Sequence, residues 1–264
     1  MKSTARVNYL GSEGLVQSVS KGSWDFIYRT STVKDSKWNI GDRVILPDGR
    51  EYRYGFSTAA LSPDKGCEFA GTGYTGYTAL AVAATKGDTE LTIAAATHAT
   101  LTEDYLTGGF VTIYGDADGH EQFRGIVGNQ AVAADLAFKI YLDGPISANL
   151  VAGTAATETW ENPYALLALG SNAGLSKAGI PAVYVSAASM YFWVQTKGPV
   201  WVPPQTSNVG ENGGRGCFWR HDATLEGAEI ALGGLTVPAG DTSQYAGFVL
   251  GGAQADNGPL FMLT

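Results

Sequence analysis

Charge is scarce in this chain. Asp, Glu, Lys and Arg together make up 16% of its 264 residues, well under the quarter or so of an ordinary globular domain. What charge there is leans acidic, and unevenly. Residues 1–70 carry ten Lys/Arg against eight Asp/Glu, and the remainder carries seven against seventeen. An acidic body does not suit a phosphate backbone, which needs a basic face, so nucleic acid is not expected as a partner. The slightly basic leading segment reads either as solvated charge or as a docking strip for an acidic surface.

Cysteine and histidine are scarcer still. Cys67 and Cys217 stand too far apart for a zinc or redox spacing, so they are expected to be free thiols in a chain made in the cytoplasm. Behind Lys2, Arg6 and Asn8 no apolar run follows, and no stretch reaches the length of a membrane span. Neither a secretory leader nor a membrane partner is therefore expected. The signatures of phosphate-binding loops, nucleophile elbows and His-Glu-x-x-His zinc sites are missing as well. The three histidines, His98, His120 and His221, are widely separated, although His120 and His221 each adjoin a carboxylate, Glu121 and Asp222. A glycosidase would need two carboxylates facing each other across a cleft, and nothing in the sequence pairs any two. The chain reads as non-catalytic, with no cofactor.

Glycine, by contrast, is abundant. Its 35 copies are dispersed rather than periodic, as many turns between short strands require. No helical period is sustained beyond a turn or two, so the expected class is all-β. The clearest local structure is Gly41 to Phe56. Val44-Ile45-Leu46 runs into the turn Pro47-Asp48-Gly49, after which Tyr52, Tyr54 and Phe56 alternate with Glu51, Arg53 and Gly55. That period of two predicts a hairpin with one aromatic face and one charged face.

Ahead of the hairpin, Met1 to Asn39 is poor in regular pattern but carries Trp24, Phe26 and Tyr28, so it reads as an extended arm laid on a neighbouring surface. Behind it, Gly71 to Tyr77 is Gly-rich and reads as a linker. Strands are expected at Leu91–Ile93, Phe110–Tyr114, Glu121–Val127 and Phe138–Leu142, with one helical turn over Thr100–Leu106 stopped by Gly108-Gly109. Short apolar segments continue from Tyr164 onward, among them Ala182–Ser186, Met190–Thr196, Phe218-Trp219, Gly247–Leu250 and Leu260–Leu263. The expected organisation is an arm with a hairpin over 1–70, a first small sandwich- or barrel-like unit over 71–160, and a second over 161–264.

Two constellations bear on chemistry. Asp116, Asp118 and Glu121 around Gly119 offer alternate oxygen ligands, but they are too short for a calcium loop, and an Asp-Gly turn between strands accounts for them. The run Tyr191 to Pro204 holds Phe192, Trp193, Val194 and Trp201. In a strand Phe192 and Val194 face one way and Tyr191 and Trp193 the other, so the segment belongs in a core or a subunit contact. Pro203-Pro204 should end it.

Tyr191-Phe192-Trp193-Val194-Gln195-Thr196-Lys197-Gly198-Pro199 resembles a stretch of a family of tailed-bacteriophage virion structural proteins. Further segments resemble that family in the same order: Leu46 to Tyr54, Thr102 to Thr112, Gln122 to Ile126, Lys139 to Ile146, and Asn162-Pro163-Tyr164. The resemblance spans about Gly41 to Pro199. It implies a capsid decoration or cement protein on the outer surface of the virion, bound to the major capsid protein and to copies of itself as a homotrimer. Candidate interface residues are Trp24, Phe26, Tyr28, Tyr52, Arg53, Tyr54, Trp193 and Trp201. The alternative is a head fibre or a carbohydrate-binding adhesion module, with Trp193, Trp201 or Trp219 exposed to a glycan.

Overall fold

Nearly all the regular structure lies in two curled antiparallel sheets, and the protein is all-β. The computed structural model describes residues 3–9, 12–19, 24–71, 73–115, 121–170, 175–203, 209, 215–220, 222–227, 229–231, 234–236, 244–252 and 260–264, with backbone alone over 3–19 and 229–236. The strands are β1 (Ser3–Tyr9), β2 (Ser12–Val19), β3 (Arg43–Ile45), β4 (Glu51–Phe56), β5 (Cys67–Phe69), β6 (Gly73–Ala79), β7 (Glu90–Ile93), β8 (Phe110–Tyr114), β9 (Gln122–Asn129) and β10 (Phe138–Leu142). They continue as β11 (Ala156–Trp160), β12 (Leu167–Leu169), β13 (Lys177–Pro181), β14 (Tyr191–Trp201), β15 (Gly216–Trp219), β16 (Leu225–Gly227), β17 (Glu229–Ala231), β18 (Gly234–Thr236), β19 (Tyr245–Gly251) and β20 (Leu260–Leu263).

The chain divides into two compact units. One is Gly71–Pro163; the other joins Met1–Ala70 to Tyr164–Thr264. The first seventy residues therefore do not form a unit of their own, and the three expected pieces are two units. The reason is strand pairing: β4 lies against β14, with Tyr54 opposite Trp193 and Tyr52 opposite Gln195. Nor do the described residues among the first thirty-nine form an extended arm. β1 and β2 form a hairpin whose first strand pairs with β3, and Asp25–Tyr28 is a 3-10 turn.

In the discontinuous unit the sheet runs β16-β15-β19-β20-β14-β4-β3-β1-β2, while β13 links β14 to β5 and β5 pairs with β12. The expected hairpin is there: Val44 pairs with Tyr52, and Gly49 takes φ +89 in the turn. Tyr52 and Tyr54 are buried while Glu51 and Arg53 are half-buried on the other face. β14 has apolar side chains on both faces, as its sequence predicts. Phe192 and Val194 enter one cluster with Leu61, Leu167 and Val185, and Trp193 enters another with Ile27, Trp38, Val44 and Tyr54. The strand ends at Trp201, two residues before Pro203.

Within Gly71–Pro163 the six strands run β6-β11-β8-β9-β10-β7 over a single core of Leu91, Ile93, Val111, Ile113, Phe138 and Ile140, among others. Two expectations fail here. The Gly-rich run 71–77 is mostly strand, because Tyr74, Thr75 and Tyr77 are good strand formers and β6 finds a partner in β11. Thr100–Leu106 is a set of turns rather than a helical turn. Asp104 takes φ +58, which no right-handed turn tolerates, and Asn129 claims the local backbone by accepting from the Leu106 amide and donating to the Thr102 carbonyl. In the other unit, Ala182–Ser186 contributes a single bridge from Val185 to Leu61, and the strand precedes it as β13.

β13 and β5 also hold an ion pair away from water. The Lys177 ammonium lies 2.7 Å from Glu68 Oε2, with side-chain exposures of 0% and 3%. The loss of one partner would strand a buried charge, at a cost of about 3–5 kcal/mol. Lys177→Met should lower unfolding stability by that amount in urea titration. Adding Glu68→Leu should restore most of the loss, and an unchanged midpoint for the single variant would contradict this account.

Candidate functional site

The eight sequence candidates fall into three settings, all within the discontinuous unit. Trp24, Phe26, Tyr54 and Trp193 form one aromatic cluster together with Trp38. The 3-10 turn carries Phe26 to within 5.5 Å of the Trp193 ring, Trp38 stands edge-on to Trp193 at 5.0 Å, and Tyr54 lies 5.2 Å away. Trp193 is 2% exposed and Tyr54 4%. These residues bind the chain to itself, and in this fold Trp193 and Tyr54 offer no surface to a partner. Trp219 is equally buried, which removes it and Trp193 as glycan platforms. Arg53 lies over the Tyr164 ring at 5.6 Å and donates to the Gly41 carbonyl, so it ties β4 to its neighbours.

Tyr28 and Trp201 do reach the surface, at 45% and 51% exposure. With the buried Tyr52 they line a groove of about 490 Å³. Trp201 and Leu260 are directly paired across β14 and β20, so their side chains stand together at one end. Arg50, just beyond the hairpin turn, is held by three groups. Its Nε donates to Asp48 Oδ2 at 2.7 Å, and its Nη1 donates to the Tyr28 and Tyr52 hydroxyls at 3.0 and 3.1 Å. The turn can approach because Gly198, at φ +96, follows a bulge in β14; a Cβ there would fall 2.7 Å from Arg50 Cα. Asp64 lies in the same lining.

A second surface lies on the six-stranded sheet of Gly71–Pro163, on the face opposite its core. Trp160 pairs with Phe110, Phe110 with Gly125, and Thr112 with Phe123. Phe110 and Phe123 stack at 5.2 Å, and Tyr77 meets Tyr114 at 5.1 Å. Phe123 is 58% exposed, Tyr77 69% and Trp160 39%. Sequence reasoning did not single these residues out. The signal was there: in Phe110-Val111-Thr112-Ile113-Tyr114 two aliphatics alternate with two aromatics and a threonine, so one face or the other had to leave aromatics outside the core.

The histidine and calcium candidates resolve only in part. His98 is buried, with both ring nitrogens against backbone carbonyls, of Ala99 and of Leu136, which is a structural setting. His120, His221, Asp116, Asp118 and Gly119 lie outside the described residues. Among the described residues no group of three or more His, Cys, Asp or Glu could hold a metal ion, and no helix is long and apolar enough to cross a membrane. Comparison of the chain with protein-family models, curated proteins and solved structures found no match.

Both cysteines are free and buried. Burial pushes each thiol up to about 12. The native state keeps these protons at a pH where the unfolded chain, with thiols near the usual 8.5, has released them. Their contribution to stability is thus complete below about pH 8.5 and is lost as pH rises toward 12. Urea midpoints should fall over that window, less steeply for a Cys67→Ala/Cys217→Ala variant. A thiol reagent should label neither residue until the protein unfolds, and rapid labelling of the native protein would contradict the burial.

Proposed function

We propose that this chain is a structural component of a tailed-phage virion that decorates the outer capsid surface and braces the shell. The observation that carries the reading is the aromatic outer face of the six-stranded sheet. Exposed aromatics grouped on one sheet face mark contact surfaces, and here Phe123, Tyr77 and Trp160 are exposed beside the half-buried Phe110 and Tyr114. Aromatics are also the residues that supply most of the energy of protein interfaces. A broad sheet face carrying Trp160, Phe110, Phe123, Tyr114 and Tyr77 suits a broad partner such as a shell of capsid subunits. The resemblance over Gly41 to Pro199 points to the same setting. Its strongest stretch is β14, and its hairpin segment is β3 and β4, so the resembling residues are those that build the scaffold.

Burying a large apolar side chain contributes about 1.5–3 kcal/mol. Phe123 and Trp160 are exposed, so replacing both by Ser should leave folding intact while weakening attachment. Purified protein mixed with shells assembled from the major capsid protein alone should pellet with them in many copies per shell. The Phe123→Ser/Trp160→Ser variant should bind at least tenfold more weakly, about 1.4 kcal/mol. No co-sedimentation of the parent protein, or full binding by the variant, would overturn the assignment.

A further inference from the structure

We propose that the groove between Trp201 and Arg50 is a binding site for a pyranose sugar residue. Three features built into the fold converge there, and each matches a different part of a sugar ring. The first is an apolar platform. Trp201 is half exposed, and Leu260 stands beside it across the β14–β20 pairing, at 49% exposure. The groove floor continues through Ile180, Pro181 and Val200. An indole face flanked by aliphatic carbon packs against the C–H face of a pyranose, and the polarised C–H groups of the sugar favour the negative face of the ring.

The second feature is a fixed donor. Arg50 is locked by Asp48, Tyr28 and Tyr52 through Nε and Nη1, and no hydrogen bond among the described residues uses its Nη2. The guanidinium is a planar fork whose remaining donor needs no ordering at the moment of binding. The third is a carboxylate with unspent capacity. Asp64 Oδ1 is shielded from solvent and meets no donor. A buried acceptor without a donor is unfavourable, and a small turn of the side chain toward a ligand hydroxyl would relieve it.

The combination selects the ligand class. A donor and an acceptor in one groove call for groups that both donate and accept, which hydroxyls do. A phosphate would find a single guanidinium and a repelling carboxylate. A metal ion would find an apolar floor. A nucleic-acid strand would meet a chain of net charge −8. The site is separate from the outer face of the six-stranded sheet, so it stands whether or not that face binds a shell.

The test uses the isolated full-length protein and a panel of methyl glycopyranosides of glucose, galactose, mannose and glucuronic acid. Saturation-transfer NMR and tryptophan fluorescence would follow binding. At least one member should bind saturably with a Kd of about 1 mM or tighter, with the strongest transfer to protons on the C–H face of the ring. Trp201→Ala should weaken binding at least tenfold. Trp201→Tyr, which keeps an aromatic platform, should stay within a few fold, and Arg50→Met should lose binding without moving the thermal midpoint by more than a few degrees. The inference fails if no glycoside in the panel binds. It also fails if Trp201→Ala binds as well as the parent, or if a proline-rich peptide saturates the groove while the glycosides do not.

Discussion

β14 is the constraint on which the discontinuous unit depends. It is eleven residues long, pairs with β4, β13 and β20, and buries side chains on both faces. One face closes on Phe192 and Val194, the other on Trp193, and its far end feeds Val200 into a third cluster with Trp219, Val249 and Phe261. Three cores thus share one strand. That arrangement is how the first seventy residues come to belong with those from Tyr164 onward despite the ninety-odd intervening positions of Gly71–Pro163, which fold over a core of their own.

The same strand sets the surface chemistry. The bulge between Gln195 and Lys197 is held by the Gln195 amide, which donates to the carbonyls of Lys197 and Pro199. Gly198 then lets the β3–β4 turn close in, and this fixes Arg50 in the groove lining that it shares with Trp201. Core and groove are therefore built by alternate stretches of one segment: its first half packs Trp193 inward, and its last residue presents Trp201 outward. The other unit solves a simpler problem. With a single core on one side of its sheet, it leaves Phe123, Tyr77 and Trp160 exposed on the opposite side.

Much of this was legible in the sequence because the signals were local. Pro47-Asp48-Gly49 specified a turn, and the alternation through Tyr52 and Tyr54 specified which face was buried. The doubled apolar character of Phe192 to Val194 specified a strand between layers. What was not legible depended on distant partners. Cys67–Phe69 and Lys177–Pro181 are short and carry a charge each, so neither reads as core. They pair with each other as strands, and Glu68 and Lys177 neutralise each other between them inside the protein. Trp24 and Phe26 read as contacts for a neighbour because their segment has little apolar surface of its own; Phe26 is instead covered by Trp38 and by Trp193, the latter more than 160 positions away. Arg50, which no local signal singles out, is held by the Tyr28 and Tyr52 hydroxyls, one of them twenty-two positions away.

Amide hydrogen exchange resolved along the chain tests the role of β14 most directly. If three cores share this strand, its amides over Tyr191–Gln195 can open only when the unit unfolds globally. They should then be the slowest of the discontinuous unit and share one opening free energy with β4. Exchange of Tyr191–Gln195 as fast as that of the edge hairpin β1–β2 would contradict the account.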